Sequence, residues 1–261
     1  MRLVQILLLS LFTLPTAFAE QNAHADKPEV MHFAATSWCP YVCDDEDHPG
    51  FIVTYMRQLL SQQNVELNVT ILPWSRAIKE SRAGKYDGLL TAVHSEAEDF
   101  QFPIIPTGYY QDCLFGQSES ELKFKGRESF KGIRVGGVKD YGYGSPIGEL
   151  FSDPKPEESI YLVSSNRPMD QLSGMLEKNR IDLIAGDKNV MEYYQNSKEG
   201  QPILSVAGCL DEVPFYTAIS PSVDSPERLI RQLETALSAK NAQALYHQAK
   251  ETWVSSLEGE L

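Results

Sequence analysis

Apolar residues along the chain follow two alternating rhythms. Residues 30–36 (VMHFAAT) form a short apolar run that predicts a strand, and residues 50–63 (GFIVTYMRQLLSQQ) carry apolar positions at helical spacing. Residues 65–72 (VELNVTIL) alternate apolar and polar, as a half-buried strand does. Residues 74–84 predict a short helix closed by glycine, and residues 86–92 a third strand. The theme repeats after Cys113: strands at 113–116, 133–138 and 181–186, a helical turn at 129–132, and helices at 145–151, 169–179 and 187–195. A final strand at 213–220 precedes two amphipathic helices, beginning at Pro226 and Ala242. Short strands alternating with helices predict an α/β fold with parallel sheets. Two such units and a C-terminal return predict two lobes.

The first 19 residues depart from this pattern. Arg2 supplies a basic start, residues 3–12 are almost wholly apolar, and Ala17-Phe18-Ala19 is a small-x-small cleavage signal. The run falls short of the roughly 20 residues a membrane-spanning helix needs. Residues 1–19 therefore read as a secretory signal peptide. No cysteine follows the cleavage site, so the expected product is exported, soluble and without a lipid anchor.

Composition narrows the partners. Removing Arg2 takes the formal charge from −13 to −14, which disfavours nucleic acid and anionic membrane surfaces. All four cysteines lie in the exported part, where disulfides persist, and four cysteines allow three pairings. Histidines do not stand at ligand spacing from either pair in sequence, so a metal site is not expected, and no cofactor motif is legible. The glycine-rich GGVKDYGYGS is neither GxGxxG nor a phosphate loop; it reads as a backbone cradle at a helix start.

The ordered elements WCPY after the first strand, PGF opening a helix, PWSRAIKESRAGKYDGLL, FKGIRVGGVKDYGYG, LEKNRIDLIAGDKNVMEYY and VPFYTAISP resemble the family 3 periplasmic solute-binding proteins. These are type II, two-lobed binders of polar amino acids and related solutes. The resemblance covers nearly the whole mature chain. It implies a first lobe of residues 28–112 and 213–261, a second lobe of residues 113–212, and a hinge of two strands with the ligand cleft between. It also implies that the crossings near Cys113 and Val213 lie side by side, giving the pairs Cys39–Cys43 and Cys113–Cys209.

Candidate ligand contacts follow. Trp38, Tyr41, Trp74, Tyr141 and Tyr143 sit in loops or at a helix start, where aromatic faces supply apolar area and attract cations. Tyr141, Gly142 and Tyr143 occupy the ligand loop of the second lobe by resemblance. Asp187 follows a strand and begins a helix; an N-cap alone explains an Asp there, while the family's acid at this place receives the ligand's ammonium. Thr91 and His94 lie in the segment where family members carry an arginine for the ligand's carboxylate. Here that segment reads VHSEAEDF, with three acids and no arginine. Arg76 or Lys139 would have to substitute, and only Arg76 offers a bidentate grip.

The expected function is periplasmic binding of a small polar solute, amine-like or amino-acid-like, by cleft closure. A monomer would deliver it to an inner-membrane ABC permease. One alternative is a sensor subunit that hands its closed form to a membrane receptor. Another is a dehydratase-like enzyme, with Glu96 and Asp187 as an acid/base pair. No catalytic motif is legible, and the chain is read as a non-enzyme.

Overall fold

The computed structural model describes residues 27–118, 120–197 and 204–258. The expected signal peptide lies outside them. The first sheet contains β1 (Glu29–Ala35), β2 (Val65–Ile71), β3 (Gly88–Ala92), β4 (Gly108–Tyr110) and β10 (Val213–Ile219), ordered β2-β1-β3-β10-β4. The second contains β5 (Asp112–Gln117), β6 (Arg134–Val138), β7 (Ser159–Val163), β8 (Leu183–Asp187) and β9 (Leu204–Cys209), ordered β7-β6-β8-β5-β9.

Each sheet is parallel where helices connect its strands: β1 with β2 and β3, and β6 with β7 and β8. The exceptions are β10, antiparallel to β3 and β4, and β5, antiparallel to β8 and β9. The sheets are thus mixed rather than parallel throughout. The chain enters β5 and β10 from the other lobe, without the helical crossover that a parallel neighbour requires. The sequence pattern also misses β4, β7 and β9, and all three are edge strands.

The helices are α1 (Phe51–Ser61), α2 (Trp74–Arg82), α3 (Ile147–Ser152), α4 (Pro168–Glu177), α5 (Lys188–Asn196), α6 (Pro226–Leu237) and α7 (Ala242–Glu258). Burial on α1 follows the helical period. Ile52, Tyr55, Met56, Leu59 and Leu60 turn into one core with Met31 and Phe33 of β1 and Leu233 of α6. Burying a side chain of this kind contributes about 1.5–3 kcal/mol, so this stripe fixes α1 against the first sheet. The second lobe has its own cores on the two faces of its sheet, one around Phe115, Leu172 and Ile184 and the other around Phe130, Leu150 and Leu183.

The chain passes from the first sheet to the second between Tyr110 and Asp112, and back between Cys209 and Val213. Asp112, expected to end a stretch of the first lobe, is instead the first residue of β5. The two crossings touch: Leu210 N donates to the Asp112 carbonyl at 2.8 Å, and Gln111 Nε2 to the Leu210 carbonyl at 2.8 Å. Both expected disulfides are present. Cys113 and Cys209 are partners in the β5–β9 ladder, with Cα atoms 4.0 Å apart, and Cys39–Cys43 closes a short loop with Cα atoms 4.8 Å apart.

Candidate functional site

Loops outside the carboxyl ends of the parallel strands meet between the two sheets, where ligands bind in open α/β sheets. They enclose a cavity of about 40 Å³. Trp38 follows β1 and is held by its turn, its N–H donating to the Val42 carbonyl at 2.7 Å. Its ring stacks on Tyr41 with centroids 4.2 Å apart. Trp74 opens α2 after Pro73, and Tyr141 meets its ring edge-on at 6.3 Å. Trp38, Trp74, Tyr110, Tyr141, Tyr143 and Phe215 make the cavity's aromatic walls.

Three carboxylates complete the lining, with no Lys, Arg or His among the described lining residues. Glu96 belongs to the one-turn helix after β3. The residue as a whole is partly exposed, yet its carboxyl turns inward, accepting from Val93 N at 2.8 Å, Trp74 Nε1 at 2.9 Å and Gly142 N at 2.7 Å. Burial outweighs these donors and pushes its pKa up to about 8. Asp112 accepts from Gly144 N at 2.8 Å, and burial, reinforced by the negative charge of Asp187, raises it to about 7. Asp187 caps α5 by accepting from Val190 N at 2.9 Å and also receives Gln111 N at 2.9 Å. Burial takes it to about 6. Among the described residues no group of three acids, histidines or cysteines is arranged to hold a metal ion.

The lobes are joined across this site at Gly142. Its N–H reaches Glu96, and its carbonyl accepts from the Tyr110 hydroxyl at 2.7 Å. A Cβ here would stand 2.1 Å from Val93 Cγ2 and 2.9 Å from Glu96 Cγ. Only glycine lets the second lobe's loop sit this close.

No family model matches the chain, and no curated protein matches it in sequence. Solved structures match it over most of its length. An ancestral arginine-binding protein bound to arginine aligns with a TM-score of 0.72 at 14% identity, over 87% of this chain and 99% of its own. A Salmonella typhimurium periplasmic binding protein of high arginine specificity gives 0.67 at 16% identity, over 86% and 99%. An ancestral amino acid-binding protein described as a precursor of cyclohexadienyl dehydratase gives 0.66 at 15% identity, over 86% and 95%.

The chain has the two-lobed periplasmic-binding-protein fold.

Within that fold, seven of the ten residues expected at the cleft line the cavity: Trp38, Trp74, Thr91, Tyr141, Gly142, Tyr143 and Asp187. Tyr41 lies behind the wall, buried. Its hydroxyl is 3.3 Å from Asp187 Oδ2 and accepts from Asn189 Nδ2 at 2.6 Å, so it positions the acid. Two residues lie elsewhere. Arg76 is on the outer face of α2, paired with Glu80 at 2.6 Å, and its side chain is 59% exposed. His94 is exposed and stacks on Phe102. Lys139, the other cation suggested in place of the missing arginine, is exposed too. The acid-rich loop also splits: only Glu96 faces inward, Glu98 is exposed, and Asp99 is tied to Arg82 by two bonds of 2.7 and 2.8 Å.

Sequence reading missed Thr36, Val93, Tyr110, Asp112 and Phe215 at the cavity, and it named Glu96 as a charge or, in the enzyme alternative, as an acid/base partner of Asp187, not as a ligand contact.

Proposed function

We propose that this protein binds a small, positively charged or amine-bearing solute in its cleft, without chemistry. The observation that carries this reading is the lining itself: Glu96, Asp112 and Asp187 with aromatic walls and no cationic side chain among the described lining residues. Buried carboxylates are stable in such a place when a cation pairs with them, and aromatic faces add to the attraction. A carboxylate ligand would meet three acids and no cationic side chain among the described lining residues. Among the acids, Asp112 keeps the most acceptor capacity, since one N–H is recorded on it against several on each of the others. Asp112 is thus the primary partner of the ligand's nitrogen, with Asp187 beside it.

The cavity holds about three waters by volume, so the solute has few non-hydrogen atoms. Similar structures are described as binding arginine and histidine, which are larger solutes that share a cationic group. Both Glu96 oxygens are taken by N–H donors, which suits an anchor better than a catalytic base. Two disulfides fit an oxidising compartment. A periplasmic monomer delivering its solute to an ABC permease is the role this supports, with a receptor as the other recipient.

A thermal-shift screen of amines, amino acids, small acids and sugars tests the reading, because a ligand raises the melting temperature as its concentration exceeds Kd. Small amines are expected to stabilise the protein. Stabilisation by carboxylic acids alone would refute it.

A further inference from the structure

Three of the cavity's aromatic donors are committed within the protein. Trp74 Nε1 serves Glu96, and the Tyr110 hydroxyl serves the Gly142 carbonyl. The Tyr143 hydroxyl accepts from Val138 N at 2.8 Å and lies 3.4 Å from the Ala185 carbonyl. Two hydroxyls break this pattern. Thr36 Oγ1 and Tyr141 Oη are buried and make no hydrogen bond of normal geometry. Thr36 is 4% exposed and stands just past β1 in the first lobe; Tyr141 comes from the second lobe's loop. Both line the cavity. They are near neighbours, close enough for a weak Thr36 hydrogen bond to offset part of the burial that raises the Tyr141 phenol's pKa, but the contact falls outside normal hydrogen-bond geometry and leaves both hydroxyls without a full partner.

Buried polar groups in folded proteins are nearly always paired, and each exception asks for a reason. We propose that Thr36 and Tyr141 jointly donate to a neutral oxygen on the bound solute, so that the ligand is a compact cation bearing a hydroxyl, ether or amide oxygen close to its charged nitrogen. This rests on the cationic reading above. The carboxylates already supply acceptors in abundance; what the two hydroxyls add is donors. An anionic oxygen at this point would face Glu96, Asp112 and Asp187, so the oxygen is neutral. Because one hydroxyl comes from each lobe, the shared oxygen also reports that the cleft has closed. Sites built to hydrogen-bond a ligand hydroxyl reject the analogue that lacks it far more strongly than they reject a change of one methylene.

Ethanolamine and n-propylamine carry the same charge and the same number of non-hydrogen atoms, and they differ at the oxygen alone. Calorimetry at pH 8 is expected to show ethanolamine binding at least about tenfold tighter. Thr36→Val and Tyr141→Phe should each erase most of that preference. A second measurement needs no ligand. If the hydroxyls are unpaired in the free protein, removing either should raise the melting temperature by about 2–4 °C. Equal affinity for the two amines, or a fall in melting temperature in both variants, overturns the inference and leaves the cationic reading standing. Binding of neither amine overturns the cationic reading, and this ligand class falls with it.

Discussion

Asp112 and Asp187 stand directly opposite one another as the first pair of the antiparallel β5–β8 ladder, both almost fully buried at the hinge edge of the cavity. Like charges in opposed positions destabilise a sheet, and burial adds to the cost. The pair is thus a place where the fold gives up stability to keep two acids at the cavity.

Asp112→Asn should separate these two effects. The amide oxygen still accepts from Gly144 N, but one negative charge is gone. Losing a buried charge partner typically costs about 2–5 kcal/mol, so amine affinity should fall by at least tenfold. Without ligand, the variant should melt about 2–4 °C higher at pH 8, corresponding to roughly 1 kcal/mol. Calorimetry and thermal melts read the two outcomes. A variant that binds as wild type would remove Asp112 from the site.

The raised pKa values fix the sign of the pH dependence. Asp112 at about 7, Asp187 at about 6 and Glu96 at about 8 all lie above the usual carboxylate range, so the folded state holds more protons than the unfolded chain. Stability of the unliganded protein should therefore decline as pH rises from about 4 to about 8, and then level off. Acids lowered by ion pairing, such as Asp99 and Asp182, act in the opposite sense, weakening the fold as pH drops below about 4. A bound cation favours the ionised carboxylates, so amine affinity should rise between pH 6 and pH 8, by up to about tenfold per unit for each proton released. Calorimetry in buffers of different ionisation enthalpy counts those protons.

Gly142→Ala should hold the lobes apart. The new methyl would collide with Val93 and press on Glu96, breaking the bond from Gly142 N to Glu96 and the one from Tyr110 to the Gly142 carbonyl. Overpacking of this kind costs about 1–3 kcal/mol, and here it falls on closure rather than on either lobe's core. Small-angle scattering with saturating amine should show a larger radius of gyration than wild type under the same conditions.

Arg76→Ala and His94→Ala should leave amine binding within about twofold of wild type. Arg76 is engaged with Glu80 at the surface, and exposed pairs contribute little. A large loss in either variant would show that the residue swings into the cleft on binding.

Much of this architecture was legible because strands β1, β3, β6, β8 and β10 and the longer helices carry local periodicity. The edge strands β4, β7 and β9 carry less: β4 spans three residues, and β7 is exposed along most of its length. The placement of Arg76 was legible in principle. Trp74, Ala77, Ile78 and Ser81 are the buried face of α2, and that spacing turns residue 76 outward. Asp112 was a different case. Its role depends on a register with Asp187, 75 residues away (187 − 112), and no local pattern reports a pairing between strands so distant in sequence. The inward turn of Glu96 likewise depends on donors from three separate segments.

The bond between Cys113 and Cys209 has a topological result. It joins the chain at the point where β5 enters the second lobe to the point where β9 leaves it, 96 residues later, so nearly the whole lobe is a covalent ring mounted on a stem. A single proteolytic cut inside that ring opens it without dividing the molecule. Two fragments appear only when a reductant is added, so in an oxidising surrounding the protein survives a nick in this lobe as one covalent piece.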